Sequence, residues 1–261
     1  MLVLYHSGLT TCSKQVRHCL REKGVSYESR YVDLLRFEHL SPDYLKLNPN
    51  GVVPTLVHDG KVIINSACIN EYIEDAFPDP PLRPADLLDR ARMRRWVWTA
   101  DDSHPMGARL TRNRRLKSAV EGMSPDDVAL VLERMPVPGR RERWARQSLG
   151  GHSPEEIDTA MEHFRFIAAR MEEELAADGP WLAGKTFSLA DISMVSLLHR
   201  LFELFPETLP QSTHPCVNDW YERIVARPAA KSVYAAGSPE TPKLGPQRTV
   251  AGIREFRAGA L

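Results

Sequence analysis

Paired cysteines are missing from this sequence. Its four cysteines (Cys12, Cys19, Cys68 and Cys216) fall singly, with no C-x-x-C spacing. That excludes a disulfide framework or zinc site and predicts reduced thiols in a cytoplasmic protein. An excess of either charge is missing too. The 34 Lys and Arg balance the 34 Asp and Glu, which argues against a general nucleic-acid binder. No apolar run nears the ~18 residues that cross a bilayer, so no membrane contact is expected. Met1-Leu2-Val3-Leu4-Tyr5 opens as a strand and lacks the charged start of a signal peptide. There is no internal repeat and no low-complexity tract. What remains is a chain of 261 residues, 43% of them apolar. That is enough for one large domain or two small ones with a real core.

The first 78 residues alternate strand and helix patterns. Leu2 to Tyr5 is an apolar run of strand length. Ser13 to Lys23 reads as a helix, with Val16, Cys19 and Leu20 at i, i+3, i+4 and Gly24 as its stop. Tyr27 to Val32 follows as a strand, giving a βαβ unit with parallel strands. Pro42 to Leu47 is a short helix. Pro54 to Val57 and Lys61 to Ile64 flank His58-Asp59-Gly60, a hairpin signal, and Ser66 to Ala76 closes the unit as a helix. The order predicts a four-stranded mixed sheet flanked by helices.

Phe77-Pro78-Asp79-Pro80-Pro81 and Pro84 stop the pattern, so residues 79–86 are read as a linker. Residues 87–261 carry helical patterns only. Leu87 to Ala100 is expected to present Leu87, Ala91, Val97 and Trp98 on or near one face. Ile157, Ala160, Met161, Phe164, Ala168, Met171 and Leu175 define an amphipathic helix. Asp191 to Phe205 and Val217 to Ala226 are two more. Residues 112–151 form a charged insertion, expected as one shorter helix plus long loops, and the tail from Gly237 to Leu261 has little apolar pattern.

Three segments near predicted helix starts carry candidate chemistry. Thr10-Thr11-Cys12-Ser13 lies between the first strand and first helix. A helix N-terminus exposes unpaired N–H groups and a positive field that stabilises an anion, including a thiolate. Hydroxyl and thiol groups there suit an anion, although the same residues are ordinary helix caps. Val53-Pro54 leads a strand; a cis bond there would turn the Val53 N–H and C=O outward to pair with a peptide ligand. Asn65-Ser66 opens the next helix, with Ser66 expected as its cap and its N–H groups drawing a carboxylate. All three fall on one end of one small α/β unit, where open sheets bind ligands. Ser188 and Asp191 have capping-box spacing and read as a folding signal. The arginines between Arg90 and Arg146 read first as a solvated face, then as a subunit contact or a site for an acidic substrate. Eight histidines, His104 among them, are scattered without metal-ligand spacing and receive no role, and no metal site is expected.

Together these motifs resemble the glutathione transferase superfamily. The resemblance rests on Asn48-Pro49-Asn50-Gly51-Val52-Val53-Pro54-Thr55-Leu56, Asn65-Ser66-Ala67-Cys68-Ile69, Phe187-Ser188-Leu189-Ala190-Asp191-Ile192 and Trp220-Tyr221-Glu222-Arg223-Ile224-Val225-Ala226-Arg227-Pro228. It implies an α/β thioredoxin-like N-terminal domain (1–78) and an all-α helical domain (87–261). It also favours the cis form of Pro54, and implies glutathione as cosubstrate and a homodimer. By the same resemblance, Val53 pairs with the cysteinyl backbone of glutathione and Ser66 binds its γ-glutamyl carboxylate. Asn65 stands where the family usually has an acid, and His39 matches a position that reaches the glycyl carboxylate. For the catalytic group, Thr10-Thr11-Cys12-Ser13 resembles the Ser-Ser-Cys signature of the zeta class and the Ser-x-Cys of bacterial hydroquinone dehalogenases. Aligned from Glu22-Lys23-Gly24, Ser13 falls on the serine of bacterial β-etherases, which cleave lignin-derived aryl ethers. Met123-Ser124-Pro125, Pro136-Val137-Pro138 and Trp144 strengthen that last likeness. The implied activity is attack of glutathione thiolate on a small aromatic electrophile, with β-aryl ether cleavage foremost. The alternatives are reductive dehalogenation, zeta-like isomerisation, or a scaffold that only holds glutathione. Trp98, Asp101, His104, Met106, Trp144 and the tail are expected to line the electrophile's pocket.

Overall fold

A computed structural model describes residues 1–8, 10–115, 123–148 and 152–234. A mixed sheet carries strands β1 (Leu2–His6), β2 (Glu28–Tyr31), β3 (Thr55–His58) and β4 (Lys61–Ile64) in the order β2-β1-β3-β4. β1 and β2 are parallel; β1/β3 and β3/β4 are antiparallel. Helices α1 (Thr11–Glu22), α2 (Pro42–Leu47) and α3 (Ser66–Ala76) flank the sheet. The apolar face of α1 is the expected one, with Val16, Cys19 and Leu20 buried against Leu2, Leu4 and Leu56. The sheet and its helices are the thioredoxin-like unit.

The rest is helical: α4 (Leu87–Arg115), α5 (Pro125–Arg134), α6 (Pro138–Ser148), α7 (Pro154–Asp178), α8 (Leu189–Leu204), α9 (Pro215–Val225) and α10 (Pro228–Tyr234). Two expectations need correction here. The face of α4 that packs is Met93, Trp96, Val97 and Ala100, while Leu87 and Trp98 are exposed. The buried set has i, i+3, i+4, i+7 spacing; counting from Leu87 set the phase wrongly. The insertion is not one short helix with loops, since α5 and α6 both form there and α4 runs on through Pro105 into it. Ser124 starts α5 with a full capping box on Asp127, and Pro125 takes the first helical position, where its missing N–H costs nothing. The tail from Gly237 onward lies outside the described residues.

α8 is the central helix, with twelve of its residues buried, and it packs on α1 and α4. Its start is tied down by Asp191. One oxygen of this buried carboxylate accepts from Leu182 N (3.0 Å) and Trp220 Nε1 (2.8 Å); the other accepts from Ser188 N (2.9 Å) and its hydroxyl (3.2 Å). The Ser188–Asp191 box is thus a structural device. Gln15 of α1 donates to Ser193 of α8 at 2.9 Å, so the α1 end facing the cleft is fixed to the helical half. Phe37 and Leu40 pack with Val131 and Met135 of the insertion in a separate, smaller cluster. Among the described residues no helix is long and apolar enough to cross a membrane, and no group of three or more His, Cys, Asp or Glu could hold a metal ion.

The far end of α1 is held by a two-pronged ion pair: Arg227 Nε and a terminal nitrogen donate to the two Glu22 oxygens, each at 2.7 Å. Burial alone would raise the Glu22 pKa. The hydrogen bonds from Arg227 and His18 outweigh it and bring the value from 4.5 down to about 2. A depressed carboxylate pKa contributes stability above its ordinary value, and that contribution is lost as pH falls toward 2. Glu22→Gln is expected to cost about 2 kcal/mol at neutral pH, as loss of charged hydrogen bonds does. Thermal denaturation between pH 7 and pH 2 checks this: the gap to wild type should close below pH 4.5. A gap independent of pH would show that the pair contributes no ionic stability.

Candidate active site at the meeting of the two halves

The site is built on the first turn of α1. Thr10 caps it and accepts from Ser13 N at 3.2 Å. The Thr10 hydroxyl donates to Ser13 Oγ at 2.7 Å, and Ser7 N donates to the same oxygen at 3.2 Å. Ser13 is therefore fully buried inside the turn's own network. Thr10, Thr11 and Cys12 stay half-exposed in the cleft.

Residues from α3 and α4 close on this turn. Thr11 Oγ1 lies 3.5 Å from Nδ1 of His104. His104 and Asp101 are one turn apart on α4, so both face the same way. Burial opposes ionisation of the Cys12 thiol. The charge of His104 and a hydrogen bond with Ser66 outweigh it and hold the thiol pKa below its ordinary value, against a smaller repulsion from Asp101. Burial likewise disfavours the His104 imidazolium, but Cys12 and then Asp101 raise its pKa. Each group therefore favours the charged form of the other.

Asn65 corrects the expected cap of α3. It is Asn65, not Ser66, that takes the cap: its Oδ1 accepts from Ala67 N (2.9 Å) and Cys68 N (3.1 Å). Its φ of 70° is a conformation Asn tolerates better than most residues. Its amide nitrogen reaches across to Asp101 at 3.3 and 3.4 Å. Ser66, released from capping, is buried and turned toward Cys12.

The Val53–Pro54 bond is cis. Pairing of β3 to its neighbours begins only at Thr55, so the Val53 peptide stands outside the ladder. The loop behind it is held by buried Asn48, which donates to Val52 O (2.8 Å) and Thr55 Oγ1 (2.9 Å). Gly51 there has a φ of +57°, and a Cβ would meet Leu40 at 3.0 Å.

His39 lies beyond this loop, under the insertion. Burial and then the nearby Arg140 push its pKa from 6.5 to about 3, so the ring is neutral, and its buried Nδ1 has no partner among the described residues. Trp144 of α6 stands edge-on to Phe37 at 6.1 Å.

The structure thus gathers Thr10, Thr11, Cys12, Ser13, Asn65 and Ser66 at one point, with Val53, Pro54 and His39 on neighbouring loops. Of the expected pocket residues, Asp101 and His104 face this point. Met106 packs against the main core, Trp144 packs on Phe37, and Trp98 is exposed. Several of the described arginines of the basic stretch are spent locally: Arg92 on Asp178, Arg95 on Glu174, Arg90 on Pro84 O and Arg141 on Met135 O. The sequence marks His104 only as a pocket-lining residue and Arg140 only as one of a basic stretch, and gives neither an electrostatic role. The only signal for His104 was its i+3 spacing from Asp101.

Comparison with known proteins now decides the family. Residues 4–81 match the glutathione S-transferase N-terminal domain and residues 119–228 the C-terminal domain. The chain belongs to the glutathione S-transferase family. Glutathione is that family's thiol cosubstrate. This member is 33% identical over 240 residues to Protein LigF of Sphingobium sp., covering 89% of this chain and 93% of that one. The crystal structure of β-etherase LigF superposes with a TM-score of 0.83 over 89% of this chain and 98% of that one. Maleylacetoacetate isomerase of Pseudomonas aeruginosa is 31% identical over 92% of this chain and 98% of its own length. Tetrachloro-p-hydroquinone reductive dehalogenase of Sphingobium chlorophenolicum is 28% identical over 86% and 92% respectively.

The electrostatic coupling of Cys12 to His104 has a direct readout. In a Cys68→Ser, Cys216→Ser background, the pH midpoint of iodoacetamide alkylation of Cys12 should lie below the ~8.5 of a free thiol. His104→Asn should raise that midpoint, because it removes the charge that favours the thiolate. An unchanged midpoint would show that the two groups do not interact.

Proposed function

We propose that this transferase binds glutathione in the cleft between α1 and α4 and uses its thiolate to attack an aromatic-type electrophile. The reaction we assign is cleavage of a β-aryl ether with release of a phenol, as in lignin-derived compounds. The observation that carries the reading is the half-exposed, anion-favouring first turn of α1 facing His104 across the cleft. The likeness to a β-etherase over most of the chain supports the choice of electrophile.

In this reading the Val53 peptide pairs with the cysteinyl backbone, next to Pro54. Ser66 and Asn65 hold the γ-glutamyl end, and His39 lies toward the glycyl end. The sulfur sits over the first turn of α1. Its N–H groups and the Thr11 hydroxyl stabilise the thiolate by hydrogen bonds and by the helix field. Ser13 acts through Thr10, by holding the turn in shape. The thiolate attacks the carbon bearing the aryl ether; a carbon–sulfur bond forms, the carbon–oxygen bond breaks, and the phenolate leaves to take up a proton. The proposal includes a cytoplasmic homodimer with a helical substrate domain at 87–261 and a linker at 79–86. The exposed Leu87, Leu88, Trp98 and Phe166 offer apolar surface for the subunit contact.

One observation favours a second reading. His104 lies beside Cys12 and lowers its thiol pKa against the effect of burial. Cys12 could attack the sulfur of an aryl–glutathione conjugate, forming a Cys12–glutathione disulfide and expelling the aryl carbon, which takes a proton. A second glutathione would then release glutathione disulfide and restore Cys12. Only this dehalogenase-type reaction needs the Cys12 thiol.

Turnover of a β-aryl ether dimer, with and without glutathione, tests the choice. Glutathione-dependent phenol release is expected. Thr11→Val should lower kcat/KM about tenfold to a hundredfold, in line with loss of one donor to a developing or bound anion. Ser13→Ala should also lower it, and Cys12→Ala should leave it nearly unchanged. Loss of activity in Cys12→Ala would favour the second reading. No release from either enantiomer would overturn the etherase assignment.

A further inference from the structure

Arg140 is a half-buried arginine of the insertion. It lies in α6, one helical turn before Trp144, so the two side chains share a face. Trp144 is anchored on Phe37, and the Phe37 ring lies 6.4 Å from that of His39. This seats Arg140 over the His39 side of the cleft. The guanidinium is half-buried and has no carboxylate partner among the described residues. Burial and the neighbouring Arg143 both work against its charge, and only Cys12 favours it. Its charge lowers the His39 pKa, and Cys12 in turn favours its charge. Glu38, the carboxylate next to His39, does not serve it; it is committed to Asp33 N at 2.7 Å.

Two polar groups therefore lie on this side of the cleft, one from each half of the molecule, without a partner among the described residues. One is the Arg140 guanidinium. The other is Nδ1 of His39, buried and unpartnered on a ring that burial keeps neutral. A buried cation without a partner is costly, and a neutral imidazole nitrogen can donate. A carboxylate answers both: one negative charge for the guanidinium and two oxygens for two donors.

We propose that Arg140 is a ligand-binding residue supplied by the helical insertion, receiving the C-terminal carboxylate of glutathione opposite His39. The assignment rests on the reading that this cleft binds glutathione. It makes the insertion part of the cosubstrate site as well as of the electrophile's pocket.

Calorimetric titration with glutathione and with its glycine monoethyl ester, which lacks the carboxylate charge, tests this. Wild type should bind the ester about tenfold or more weakly, as expected when a desolvated charge pair is broken. Arg140→Met should bind glutathione about tenfold more weakly and the ester unchanged, so that it no longer tells the two apart. Arg140→Lys keeps the charge but loses the planar fork, and should retain part of the discrimination. If Arg140→Met does not fold, Arg140→Lys carries the test: discrimination equal to wild type would overturn the assignment. So would an Arg140→Met variant that folds and still prefers glutathione as strongly as wild type. Wild type that binds neither ligand would overturn both this assignment and the reading beneath it.

Discussion

The architecture of the site depends on one buried carboxylate that touches no substrate. Asp191 gathers donors from the 182 loop, from the start of α8 and from Trp220 of α9. Burial raises its pKa, and the four hydrogen bonds act against that rise. A buried carboxylate is tolerable only when its lone pairs are satisfied. Here they are, and the result is a fixed entry angle for α8. That helix then supports α1 from behind through Gln15 and Ser193, and α4 from the side. Thr11 and His104 meet across the cleft because their two helices share this support.

Net charge is zero for the chain, yet the cleft is electrostatically uneven. Burial neutralises His39, while Cys12 and Asp101 keep His104 biased toward its charged form. Two histidines of the same cleft are thus shifted in opposite directions. Most of the described surface arginines are paired off against carboxylates or carbonyls, so their number says little about binding. Arg140 differs from these in being half-buried in the insertion with no carboxylate partner among the described residues.

Local chemistry made much of this legible in the sequence. The βαβ-ββα order, the hairpin at Asp59-Gly60 and the Ser188–Asp191 spacing each depend on residues close in the chain, and each appears where expected. The cis bond at Pro54 was implied by resemblance, since a proline at a strand start reads as trans by itself. Errors arose where tertiary packing chose among local options. α4 could present several faces, and the core selected the one through Trp96. At α3, Asn65 and Ser66 both suit an N-cap, and Asn65 won because its positive φ frees Ser66 for the cleft. His104 and Arg140 gain their meaning only from partners about ninety residues or more away, and no periodicity encodes that.

Among the described residues, none of the insertion joins the main core. Phe37, Leu40, Val131 and Met135 form their own cluster, separate from the one that runs through both halves. Stability in a protein is distributed by such units, and a small cluster opens at a lower free energy than the whole. The contacts of α5 and α6 with the 37–40 turn are thus made in a cluster apart from the sheet and the α4–α8 framework. In hydrogen-exchange terms, the amides of the roof over His39 are expected to exchange ahead of those of the main core.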